Sequence, residues 1–249
     1  MLERAPQIAR CPDRLPLTAR GLSLRLDGKQ LIRDINLTLS AGKRTIILGA
    51  NGAGKSLLLR LLHGLIEPTS GEILWAGRTA DKETRQGQAM VFQRPVLLRR
   101  SALANIKFVL ASSPLRKDLR DQWARACLQL ANLGDLAATP ARALSGGEQQ
   151  RLAIARALAL EPEVLFLDEP SAHLDPAATL SVEQLIESAH ENGKKIIMVT
   201  HDIGQARRIA DEIIFLHQGA IAEKADAASF FASPSSPAAR AYLEGRIIL

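Results

Sequence analysis

The eight residues 49–56, "GANGAGKS", constrain the fold more than any other stretch of the chain. They follow the apolar run "TIIL" and precede "LLLRLLHGL", a run of strong helix formers. A glycine-rich loop between a strand and a helix aims backbone N–H groups and the positive end of a helix at one point, the geometry that holds phosphate. Gly49, Gly52 and Gly54 let the backbone wrap a phosphate chain closely, with Ala50, Asn51, Ala53 and Leu57 completing the loop and the first helical turn. Lys55 is suited to bridging the outer phosphates, and the Ser56 hydroxyl to holding Mg²⁺.

The rest of the chain supplies a matching scaffold. "LTARGLSLRLDGKQLIRDINLTLSAG" alternates apolar and polar residues about Asp27-Gly28 and predicts antiparallel strands joined by a hairpin. "RTIILGA", "AMVFQ", "EVLFLDE" and "KIIMVTHD" are short, continuously apolar runs separated by longer, partly helical segments, as in a buried, mostly parallel sheet with helices on its faces. Strand runs stop between Gln93 and Ser145, where "RKDLRDQWARACLQLANLG" has helical spacing and Gly134 as its expected stop. After "HD" come a helix with Arg207 and Arg208, a hairpin turning at Gln218-Gly219, and a tail expected to end in a short helix.

Three strand ends carry candidate chemistry. "VLFLDEP" closes on two adjacent carboxylates, and alternation along a strand sends them to opposite faces. Asp168 suits the Mg²⁺ shell, and Glu169, where the strand exits, suits polarising an attacking water. "VTHD" and "MVFQ" set His201 and Gln93 at the same carboxyl edge, where open α/β sheets collect ligands; the Gln93 amide is fit to hold Mg²⁺ or to position water. Alone, either residue reads as a loop anchor.

"LSGGEQQR" (144–151) stands ahead of the helix-forming "LAIARALAL" and holds a second anion-binding arrangement, the Ser145 hydroxyl with the N–H groups of Gly146 and Gly147. Those glycines cost backbone entropy and are expected to hold no core together. One ATP need not use both anion sites from the same molecule. Two copies packed head to tail would let each phosphate loop meet the other copy's "LSGG".

Composition narrows the classes. The 249 residues are 47% hydrophobic and 23% charged, ordinary for a globular chain, and no run of about 18 uncharged apolar residues is present. The N-terminus lacks the apolar region of a secretory signal, so a cytosolic protein is expected. Net charge is +6, yet aromatics are only 4% and the pairs Arg99-Arg100 and Arg207-Arg208 have no stacking residues between them, which disfavours a nucleic-acid surface. Cys11 and Cys127 lack metal-site or redox spacing and read as reduced thiols, structural or incidental.

"GANGAGKS", Gln93, "LSGGEQQR", "LFLDEP", "SAHLD" (171–175) and His201 occur in the order seen in ATP-binding subunits of ABC transporters, which residues 17–249 resemble throughout. The resemblance implies an α/β fold: a P-loop NTPase core with a mostly parallel sheet, an N-terminal antiparallel β-subdomain and a helical signature subdomain. That is one ATPase domain over 17–249, its helical subdomain at about 94–160, behind an N-terminal extension, 1–16. By similarity, Lys55 and Ser56 are the Walker A lysine and Mg²⁺ ligand, Asp168 the Walker B aspartate and Glu169 the catalytic carboxylate. Gln93 is then the Q-loop residue, His201 the switch histidine, Ser145, Gly146 and Gly147 the signature, and Asp175 the aspartate at the dimer seam. The cofactors implied are ATP and Mg²⁺. The partners are a second copy in an ATP sandwich, a transmembrane permease subunit and, through it, a solute-binding protein, with the subunit peripheral on the inner face of the membrane.

Two positions depart from the family pattern. Leu26 stands where many relatives stack an aromatic ring on adenine, and Leu57 where threonine often follows the Walker A serine. A narrower resemblance, in "VFQRPVLLRRSALANI" and "GKSLLLRLLHGL", is to ATPase subunits of tungstate importers and more loosely to those for molybdate and phosphate. The alternatives are a free-standing soluble ABC ATPase in assembly, repair or translation, and the ATPase of an exporter. Repair members usually carry long coiled coils or zinc modules, and translation factors two ATPase units; neither feature is in this sequence.

Overall fold

The computed structural model describes residues 14–246. Cys11 and most of the N-terminal extension therefore lie outside the described residues.

Among the described residues the first elements are β1 (Leu17–Leu26) and β2 (Lys29–Leu39), antiparallel about Asp27 and Gly28, both at positive φ. It then runs through β3 (Thr45–Leu48), the phosphate loop and α1 (Lys55–His63). Next come β4 (Ser70–Trp75), β5 (Arg78–Thr79), α2 (Lys82–Gln86) and β6 (Gln88–Val91). Three helices follow without an intervening strand: α3 (Ala102–Leu110), α4 (Lys117–Leu130) and α5 (Gly146–Leu158). The last third alternates β7 (Val164–Asp168), α6 (Pro176–Glu191), β8 (Lys195–Val199), α7 (Ile203–Ile209), β9 (Glu212–His217) and β10 (Ala220–Asp226), and ends in α8 (Ala227–Ala232) and α9 (Pro237–Leu243). The strands β4 and β5 carry no clear alternation, and sequence reasoning passed over them.

The described residues form two sheets, an antiparallel one in the order β2-β1-β4-β5 and a six-stranded one in the order β10-β9-β3-β8-β7-β6, parallel except for β10. The parallel strands are apolar in their interiors because both faces are covered, and their polar residues, Thr45, Gln88, Asp168, Lys195 and Glu212 among them, stand at strand ends. Ile47, Phe166, Ile197 and Val199 face α1 and the antiparallel sheet. Their neighbours Ile46, Leu48, Leu165, Leu167 and Met198 face a second cluster built with residues of α3 to α6. Period-two alternation thus divides one sheet between two cores.

Gly134 is not the stop of α4. That helix ends at Leu130, Asn132 takes the left-handed conformation (φ 53°), and Gly134 opens a short 3₁₀ turn to Leu136. An asparagine side chain tolerates that conformation, so the glycine was not needed there. Cys127 is buried on α4, and burial pushes its thiol up to about 12, which keeps it protonated at neutral pH.

Phe166 is fully buried at the centre of β7, edge-on to His63 (5.3 Å between centroids) and Trp75 (6.3 Å). Phe166→Ala is expected to lower the unfolding free energy by about 3–5 kcal/mol, measured by urea denaturation; a loss under about 1 kcal/mol would contradict this packing.

Candidate functional site

The parallel strands fix the site. In the register, Asp168 pairs with Val199, and Val199 with Ile47, so β7, β8 and β3 end level with one another. The phosphate loop leaves β3, His201 follows β8, Asp168 and Glu169 end β7, and Gln93 lies two residues past β6. Four adjacent strands thereby deliver the candidate residues to one carboxyl edge.

Gly54 caps α1 in a left-handed conformation, and the first main-chain bond to close on the cap is Leu58 N–H to the Gly54 carbonyl at 2.9 Å. The N–H groups of Lys55, Ser56 and Leu57 belong to the first turn, which has no intrahelical acceptor for them. The Lys55 side chain is 5% exposed and donates to the carbonyls of Gly49 (2.8 Å) and Ala50 (3.0 Å), inside the loop. Burial lowers its pKa, opposed by the charges of Glu169 and Asp168. The loop is braced from outside by the terminal hairpin. Gln218 and Gly219, both at positive φ, turn the chain so that Gly219 N–H reaches the Ala53 carbonyl at 3.0 Å. A Cβ on Gly49 would fall on the Leu216 carbonyl oxygen, so this position is closed to larger residues.

The Ser56 hydroxyl donates to Asp168 Oδ1 at 2.6 Å, bringing a hydroxyl and a carboxylate together at the mouth of the loop. Two hard oxygen donors side by side, beside a cradle of backbone N–H groups, match what Mg²⁺ and a phosphate chain require. Arg60, one turn beyond Ser56, sets Nη2 3.4 Å from Asp168 Oδ2. Sequence reasoning missed Arg60, although its i+4 spacing from Ser56 puts both on one helix face.

Glu169 parts from Asp168 by a different means than strand alternation. Asp168 is the last residue of β7, and Glu169 already has φ 47°, a left-handed turn beyond the sheet. The reversal sends its carboxylate to His201 Nδ1 at 3.0 Å and to Gln93 Nε2 at 3.5 Å. Glu169, His201 and Gln93 therefore form one group, and Ser56 with Asp168 another, both beside the phosphate loop.

No hydrogen bond among the described residues joins residues 145–147 to residues 49–57. Ser145 caps α5 in a capping box: its hydroxyl accepts from Glu148 N–H (3.4 Å), while Glu148 Oε2 accepts from the Ser145 N–H (2.8 Å) and hydroxyl (2.9 Å). These bonds hold the Glu148 carboxyl below its ordinary pKa. Gly147 does hold core together, contrary to expectation: it is buried, and a Cβ there would lie 2.6 Å from Ala178 Cβ on α6. Close helix packing sets that glycine; Gly146 has room. Asp175 caps α6, accepting from Ala178 N–H at 2.8 Å. Leu57 packs on the core beneath α1, and Leu26 is 46% exposed at the first hairpin.

The family model of the ABC transporter matches residues 32–172, more than half of the chain. The tungstate uptake system ATP-binding protein TupC of Peptoclostridium acidaminophilum is 35% identical over 210 residues, covering 84% of this chain and 98% of that protein. The phosphate import ATP-binding protein PstB of Mycoplasmoides gallisepticum is 35% identical over 235 residues, covering 88% and 72%. Among solved structures, cbiO1 of Clostridium perfringens, part of the ABC transporter complex cbiONQ, superposes with a TM-score of 0.80 at 31% identity, covering 87% of this chain and 90% of that one. An ATP-binding cassette solved as a dimer in a post-hydrolysis state with ADP and Pi gives a TM-score of 0.75 at 30% identity, covering 85% and 98%. The chain belongs to the ABC transporter family. It is an ATP-hydrolysing enzyme of that family. No helix among the described residues is long and apolar enough to cross a membrane.

Gly49→Ala is expected to weaken ATP binding at least about tenfold and to destabilise the fold by about 1–3 kcal/mol through overpacking on Leu216. Titration with a fluorescent ATP analogue and thermal melting check both; unchanged affinity would mean that the loop's approach to Leu216 is irrelevant to binding.

Proposed function

We propose that this chain is the ATP-hydrolysing subunit of an ABC importer, with residues 17–249 as one cassette and about 94–160 as its helical part. The observation that carries the proposal is the meeting of Ser56 with Asp168 and of Glu169 with His201 at the mouth of the phosphate loop. Lys55 and the loop N–H groups of residues 49–57 bind the phosphates of ATP. Ser56 and Asp168, with the Gln93 amide, hold Mg²⁺, which when bound offsets the charge that gathers on the phosphates. Glu169 takes the proton of the attacking water and orients it in line with the terminal phosphorus. His201 supports Glu169 and faces the same phosphate. Phosphoryl transfer requires mainly positioning and charge stabilisation, and these residues supply both from rigid strand ends.

The second half of the site is supplied by another copy. Ser145, Gly146 and Gly147 of the partner close over the phosphates, with Asp175 at the seam between copies. The Glu148 carboxylate, now bonded to the Ser145 hydroxyl and N–H, occupies the groups an anion would use and yields them as the copies close. The dimer seen in a similar cassette supports this reading.

Coupling to a permease is supported by the surface just past Gln93. Val96 is 69% and Phe108 53% exposed, with the Arg100 guanidinium 5.7 Å over the Phe108 ring. An apolar patch beside cations suits a short helix of a membrane subunit, and it holds the protein on the inner face of the membrane. A solute-binding protein completes the importer on the far side. Similarity to the tungstate and phosphate proteins makes an oxyanion, tungstate among them, the solute to test first.

Glu169→Gln is expected to bind ATP normally and to hydrolyse it at least about a hundredfold more slowly, because the proton acceptor is lost and the cradle is kept. Lys55→Ala is expected to weaken ATP binding itself. Single-turnover hydrolysis and equilibrium titration separate the two; normal turnover in Glu169→Gln would overturn its assignment.

A further inference from the structure

A residue from a part of the chain without any motif reaches into the site. Tyr242 of α9, the only tyrosine of the sequence, donates its hydroxyl to the main-chain oxygen of His201 at 2.9 Å. Among the described residues this is the one hydrogen bond that reaches the His201 main chain. The Tyr242 ring packs 5.3 Å from Phe215 of β9, centroid to centroid, so the hydroxyl is aimed by a buried aromatic neighbour. Burial, with Glu169 and Asp202 nearby, pushes the phenol up to about 12, so the hydroxyl keeps its proton and stays a donor at neutral pH.

The helix that carries Tyr242 is itself pinned. Glu223 of β10 accepts from the N–H groups of Ser235 (3.0 Å) and Ser236 (2.8 Å), just ahead of α9. Arg207, on the helix that begins after His201, lies 4.9 Å over the Phe231 ring of α8. The C-terminal segment therefore grips the His201 turn directly and through α7. The imidazole needs that support, since its side chain is 53% exposed and its hydrogen-bond partner is Glu169.

We propose that Tyr242 is a positioning residue for hydrolysis: by fixing the main chain of His201 it aims the imidazole at Glu169, and it ties the C-terminal helix to the catalytic step. The proposal rests on the reading of His201 as part of the hydrolytic site. A residue acting in this way affects turnover and leaves ATP binding alone, because it touches neither the phosphate loop nor the Mg²⁺ ligands.

The test is a double-mutant cycle in the full chain with Tyr242→Phe and His201→Ala, measuring kcat, ATP affinity and melting temperature for each variant. Tyr242→Phe keeps the ring on Phe215 and removes only the hydroxyl. It is expected to lower kcat about three- to tenfold with unchanged ATP affinity, and to have no further effect once His201 is alanine. Replacing Tyr242 with 4-aminophenylalanine restores a donor and is expected to restore kcat, which separates positioning from loss of fold. A Tyr242→Phe protein with wild-type kcat, or one whose defect simply multiplies with that of His201→Ala, would overturn the proposal. Full activity in His201→Ala would instead overturn the reading of His201 beneath it.

Discussion

Ser56 and Asp168 lie 112 positions apart in the chain and 2.6 Å apart in space. That contact needs α1, leaving the sheet from β3, to pack over β8 and β7, and it needs β3 and β7 to end level with β8 between them. Level ends depend in turn on sheet register, which is fixed by burial on both faces: a slip of one residue would carry Phe166 and Ile47 from one core to the other. Core packing and site geometry are therefore one constraint. The energy that aligns the carboxylate with the phosphate loop is the energy that fills the two hydrophobic clusters on either side of the sheet.

The site adds to this frame a few backbone conformations that packing alone would not choose. Glu169 is a non-glycine residue at positive φ, placed there at the end of β7, and its N–H is held by the Val199 carbonyl at 2.9 Å. Such a conformation costs free energy, and it survives where surrounding bonds over-determine it. Its result is that adjacent carboxylates face different partners, Asp168 the Ser56 hydroxyl and Arg60, Glu169 the imidazole and the amide. The terminal hairpin acts similarly at one remove, its Gly219 N–H bracing the Ala53 carbonyl under the phosphate loop.

Much of this was legible in the sequence, and for physical reasons. Apolar runs ending in "GANGAGKS", "DE" and "HD" marked both the parallel strands and the ends that carry the candidate site, because a strand buried on both faces is apolar in its interior and keeps its polar residues to its ends. What could not be read were contacts between segments with no periodic signature. The strands β4 and β5 pair through the backbone with little alternation to announce them. Gly147 looked free because the helix it packs against, at Ala178, is distant in sequence. Asn132 in place of Gly134 shows that a side chain able to tolerate a left-handed turn hides a helix end. Tyr242 gave no signal, since a single tyrosine in a polar tail is indistinguishable from a surface residue until its partner's position is known.

The central claim is that the two anion-binding segments, residues 49–57 and 145–147, serve one nucleotide only when two copies meet. It is tested most directly by light scattering on the Glu169→Gln chain during size-exclusion chromatography, with and without ATP. A monomer that becomes a dimer with ATP, and fails to do so when Ser145→Arg is added, is the expected result. A Glu169→Gln, Ser145→Arg chain that dimerises with ATP as readily as Glu169→Gln alone would contradict it.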